Sequence, residues 1–110
     1  MEYDVMRYAV TKHCINQFKS RYRYRFHESY FLNDELVKNL IIYLLEHSSE
    51  DHLIKYSPFY KNKFAAVYSH NTTVYRSNRK DIVFAVKFEK ETIVCLTVFK
   101  HFDVRTFVKI

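Results

Sequence analysis

The sequence predicts an α+β fold, in which an N-terminal strand leads into two helices packed on one face of an antiparallel sheet of about four to six strands. Three observations carry this reading. The stretch DIVFAVKFEKETIVCLTVFK, Asp81 to Lys100, alternates with a period of two on either side of a polar break at Glu89, Lys90 and Glu91, which is the pattern of a β-hairpin. Two earlier segments carry apolar residues at spacings of three and four, the pattern of helices. From Lys63 onward the chain returns to short, strand-like runs. A length of 110 residues is that of one domain, residues 1–110, able to bury a core without metal or disulfides.

Tyr3 to Val10 reads as the first strand, with Met6, Tyr8 and Val10 on one face. Thr11 is placed to cap a helix from about Lys12 to Tyr24. Cys14, Ile15, Phe18 and Tyr22 form its apolar side, and His13, Gln17 and Arg21 fall at four-residue spacing as a polar stripe beside it. A second helix runs from Asn33 to about His47, with Asp34 and Glu35 favourable in its first turn. Its wide stripe of Leu36, Val37, Leu40, Ile41, Leu44 and Leu45 must lie on the sheet. Ser48 to Asn62 holds the single proline, Pro58, and reads as a loop in which Lys55, Tyr56, Tyr60 and Lys61 could line a groove.

The remaining strands are Phe64 to Tyr68, Thr72 to Arg76, the hairpin, and Val104 to Val108. The hairpin strands are apolar at nearly every position, which places them in the middle of the sheet, whose face away from the helices stays partly open. With the turn centred on Lys90, residues whose numbers sum to about 180 face each other, setting Val83 against Thr97 and Lys87 against Ile93. Lys87 and Thr97 then share a face, about two residues apart, as the polar interruptions of that hairpin.

Glycine is absent, so the turns expected at His70-Asn71, Ser77-Asn78 and His101 to Asp103 must use Asn, Asp and Ser for left-handed backbone. The wealth of Asn, Lys, Ile, Phe and Tyr is what AT-rich codons supply and points to a viral, phage or mobile-element gene. Cys14 and Cys95 read as small apolar core residues, both reduced. With no signal peptide and no apolar run long enough to span a bilayer, the expected location is the cytoplasm, the host's if the gene is a phage's.

The formal charge is +6, and from Val5 to His27 six cations stand without an acidic residue. Lys12, Lys19, Arg21, Arg23 and Arg25 alternate there with Phe18, Tyr22, Tyr24 and Phe26, a mixture in which cations meet phosphates and rings stack on bases. The expected partner is RNA or another nucleic acid, with Gln17 beside these cations in the interface. No paired carboxylates, glycine-rich phosphate loop, CxxC or HExxH occurs, so neither a metal site nor a cofactor is expected. His13, Arg21, Arg76, Lys87, Thr97 and His101 are instead the groups one fold could gather for metal-free RNA cleavage. A base would take the 2′-OH proton, a cation would stabilise charge on phosphorus, and an acid would protonate the leaving oxygen.

The opening VTKHCINQFKSRY, followed by VYRS, DIVFAVKF and ETIVCLTVF, resembles the RelE-like toxins and the wider barnase, EndoU and colicin-type ribonuclease superfamily from about Tyr8 to Lys100. That resemblance implies a metal-independent endoribonuclease leaving 2′,3′-cyclic phosphate, with an antitoxin-like or host protein as a further possible partner. It implies His13 as general base or acid, Arg76 and Lys87 as phosphate ligands, and Thr97 as the hydroxyl that orients substrate. Gln17 departs from the pattern, standing where such helices commonly carry arginine, and leaves Arg21 as its substitute. The alternative is a non-catalytic phage or mobile-element protein that binds nucleic acid or inhibits a host nuclease or defence protein. Convergence of His13, Arg76, Lys87 and Thr97 in one pocket separates the two.

Overall fold

The computed structural model describes residues 7–51, 56, 62, 71–77 and 82–100. Their order is β1 (Arg7–Val10), α1 (Lys12–Tyr22), a 3-10 turn η1 (Arg23–Arg25), a second one η2 (Glu28–Phe31), α2 (Asp34–Glu46), β2 (Ser48–Glu50), β3 (Thr72–Ser77), β4 (Val83–Glu89) and β5 (Thr92–Val98). The architecture is the expected α+β one. Among the described residues the strands form a sheet in the order β1-β5-β4-β3-β2. β4 and β5 sit inside it, as their apolar runs require.

Both helix starts are capped by the residues the sequence supplies. Thr11 accepts a hydrogen bond from the Cys14 amide at 3.0 Å, and Asn33 Oδ1 accepts from the Leu36 amide at 2.9 Å. Cys14, Ile15, Phe18 and Tyr22 of α1, with Val37, Leu40, Ile41, Leu44 and Leu45 of α2, are buried against Ile82, Phe84, Val86, Ile93, Cys95 and Val98. Phe18 is the hub of this core. Its ring lies 5.6 Å from Tyr22, 5.7 Å from Phe26, 6.1 Å from Phe31 and 6.4 Å from Phe84, centroid to centroid.

Four features differ from expectation. β1 runs parallel to β5, with Tyr8 beside Ile93 and Val10 beside Cys95, so the sheet is mixed; the other pairings are antiparallel. The expected loop after α2 begins instead with an edge strand, because Ser48, Ser49 and Glu50 pair with Ser77, Arg76 and Tyr75; three polar residues on a sheet edge give no periodic apolar signal. The face away from the helices is not open at its centre, since Val74, Val83 and Ala85 there are as buried as the helix-side core. Finally, Lys90 takes the left-handed position of the hairpin turn, at φ 56°, where Asn, Asp and Ser were expected to serve. The predicted strands 64–68 and 104–108, and the turns at residues 70, 78 and 101–103, lie outside the described residues.

The hairpin register also shifts. Glu89 faces Thr92, Phe88 faces Ile93, Lys87 faces Val94 and Val86 faces Cys95, but Ala85 faces Thr97, so Leu96 is an extra residue, a bulge. Thr97 therefore joins the face of Ala85 and Lys87, two residues from Lys87 along the sheet. The shared face of Lys87 and Thr97 is as expected, although the pairing that predicted it is not: Ile93, set against Lys87 in the simple register, belongs to the helix-side core.

Candidate nucleic-acid interface

Past Val10 the first strand ends, and among the described residues no strand pairs with the outer edge of β5 from Leu96 onward. Unpaired backbone carbonyls there need donors, and α1 supplies them. Thr11 Oγ1 donates to the Leu96 carbonyl at 3.1 Å, and an Arg21 guanidinium nitrogen donates to the Val98 carbonyl at 2.6 Å. The Tyr22 hydroxyl donates to the Phe99 carbonyl. The N-cap and the last turn of α1 are thus fixed on either side of Thr97. His13, between them, is exposed and makes no hydrogen bond or ion pair with the described residues; Gln17 is half-buried.

The four residues proposed for catalysis are not gathered around one point. Register puts Arg76, Lys87 and Thr97 on the face away from the helices, with Arg76 beside Val83 and Lys87 beside Thr72. Strand geometry separates the Arg76 and Lys87 backbones by about 14 Å, four residues along and one strand across. Their side chains reach to different acids: Lys87 Nζ lies 2.9 Å from Glu89 toward the turn, and Arg76 lies 3.4 Å from Asp51 toward the β2 edge. Thr97 is only 8% exposed, and its hydroxyl bonds to no described residue. Among the described residues no group of His, Cys, Asp or Glu could hold a metal ion.

The basic stretch is better assembled. α1 and η1 carry Lys12, Lys19, Arg21, Arg23 and Arg25, with no acid between Lys12 and Arg25. One carboxylate from the next helix enters: Asp34 accepts from Lys12 at 2.8 Å and from Lys19 at 2.9 Å. Those hydrogen bonds, first from Lys12 and then from Lys19, hold its carboxyl down at about 2. Arg21 is largely structural through Val98. Arg23 lies over the Phe31 ring at 5.7 Å and Arg25 over the Tyr22 ring at 5.9 Å.

The aromatics interleaved with these cations divide sharply. Phe18 and Tyr22 are core and Phe26 packs on Phe18, whereas Tyr24 is 74% exposed. Composition could not separate them, since all lie in one run; helical spacing is the signal that could, because residues 14, 18 and 22 share a side of α1 and residue 24 leaves it. On the sheet, burial first, and then Glu46 near Tyr8 and Glu50 near Tyr75, push both phenols above their usual range.

The class defined by these observations is an α+β domain with a mixed sheet, two helices on one face, and a cationic helix-to-turn surface. Compared with protein-family models, curated proteins and solved structures, the chain matches none. No helix among the described residues is long and apolar enough to cross a membrane.

Proposed function

We propose that this protein binds nucleic acid, without cleaving it, through the surface made by α1 and η1. The observation that carries the reading is the run of five cations from Lys12 to Arg25 along one helix and the turn that follows it, with no acidic residue among them. A polyanion releases counterions on meeting such a surface, so affinity falls steeply with salt. Labelled RNA and DNA oligonucleotides titrated at several salt concentrations test this. A log–log slope near −2 to −4 is expected, as for about three to four phosphates neutralised. Arg23→Glu with Arg25→Glu should weaken binding at least tenfold and flatten the slope; unchanged binding overturns the reading.

A metal-independent ribonuclease is the second reading, favoured by the clamp of Thr11 and Arg21 on the carbonyls flanking Thr97, which carries the His13 stripe to that edge. Lys87 and Arg76 would have to leave Glu89 and Asp51 to meet a phosphate there. RNA incubated in chelator separates the two. Intact RNA is expected; fragments ending in 2′,3′-cyclic phosphate, lost in His13→Ala by a hundredfold or more, would establish catalysis instead.

A further inference from the structure

Tyr24 is the one member of the α1–η1 aromatic run for which the fold has no use. Its neighbours in sequence are anchored: Tyr22 is buried with its hydroxyl on the Phe99 carbonyl, and Phe26 rests on Phe18. Arg23 is held over Phe31, which itself stacks on Phe18, and Arg25 is held over Tyr22. The turn is therefore fixed from both sides, while the Tyr24 ring projects 74% exposed and makes no ring contact or hydrogen bond with the described residues. An exposed ring on an anchored turn, next to a cation, offers what an unstacked base requires, a π-face to lie on and positive charge for an adjoining phosphate.

We infer that the α1–η1 surface selects single-stranded nucleic acid, stacking a base on Tyr24 while Arg23 beside it holds an adjoining phosphate. This rests on the nucleic-acid reading above and adds strandedness to it. A duplex keeps its bases stacked on one another and presents only phosphates and groove edges, so it can use the cations but not the ring. Because Tyr24 supports nothing in the fold, replacing it is a clean experiment.

The test is fluorescence anisotropy with a labelled 20-nucleotide single strand and its duplex, as RNA and as DNA, at one salt concentration. Tyr24→Ala should weaken single-strand binding about tenfold, the loss of one base–ring stack. Duplex affinity should change less than twofold, and Tyr24→Phe should restore single-strand binding, since the stack needs the ring and not the hydroxyl. The melting temperature of Tyr24→Ala should equal that of the parent. Single-strand affinity unchanged in Tyr24→Ala, or weakened equally for strand and duplex, overturns the stacking proposal. If Arg23→Glu with Arg25→Glu still abolishes binding in that case, the nucleic-acid reading stands without it. A parent protein that binds none of the four probes removes both.

Discussion

Cys95 and Thr97, two residues apart on β5, point to opposite faces of the sheet. Cys95 faces Val86 and lies in the helix-side core, while Thr97 faces Ala85 on the other side, because the bulge at Leu96 lies between them. Strict alternation would have put both on one face and buried the threonine hydroxyl under α1. The bulge instead feeds Val98 into the core and turns Thr97 away from it.

Where Thr97 now sits, its hydroxyl is buried without a described hydrogen-bond partner, a loss of hydration with no return. Thr97→Val should therefore stabilise the protein by about 1 kcal/mol, seen as a higher urea midpoint at unchanged slope. A lower midpoint would mean that the hydroxyl has a partner in solution. If RNA cleavage is found, the same variant should also lower its rate.

Arg21 counts as one of the basic residues, yet its guanidinium donates to the Val98 carbonyl on the outer edge of β5. Arg21→Ala leaves that carbonyl without its charged donor and should cost about 1–2 kcal/mol, a fall of several degrees in melting temperature. Arg23→Ala, which loses a ring contact, should cost less than about 1 kcal/mol. Equal melting temperatures for the two variants would contradict this division. Charge reversal at Arg21 accordingly mixes folding with binding, and Arg23 is the position for testing affinity.

Asp34 joins the two helices by bridging Lys12 and Lys19. Its folded carboxyl titrates at about 2 against an ordinary 3.8, so the stabilisation it gives is present above the ordinary value and lost as pH falls through about 2. Melting Asp34→Asn beside the parent should show a deficit at pH 6 that has largely closed at pH 2. The same substitution frees two lysines. Oligonucleotide affinity should rise severalfold with a steeper salt dependence, and a fall would place the contact surface elsewhere.

Cys14 and Cys95 are free thiols in the core, with their sulfurs 3.4 Å apart. Burial, with the hydrogen bond to Cys14 adding to it, pushes the Cys95 thiol well above its ordinary 9.0. The unfolded chain ionises first as pH rises, so this contribution to stability is intact below about 9 and is lost above it. A thiol reagent at pH 8 should label neither cysteine in the native protein and both in denaturant. Cys95→Ala should flatten the decline of melting temperature between pH 9 and 10. Rapid labelling of the native protein would contradict the buried pair.

What the sequence alone determined is what local patterns can carry. Periods of 3.6 and 2 drew α1, α2, β3, β4 and β5 to within a residue or two, and Thr11 and Asn33 marked the helix starts because a cap is a local hydrogen bond. The charge of the α1–η1 stretch was equally legible, since charge does not depend on folding. Tertiary structure decided the rest. Whether β1 runs parallel to β5, whether Ser48–Glu50 finds an edge to pair with, and which face Thr97 takes all depend on partners tens of residues away, and the Leu96 bulge leaves no mark in the alternation of an all-apolar strand. The same is true of the cations: Lys12, Lys19 and Arg21 look like Arg23 in sequence, but the approach of Asp34 and of the Val98 carbonyl occupies the first three, and packing of Tyr22 and Phe26 onto the core leaves Tyr24 as the ring of that run facing water.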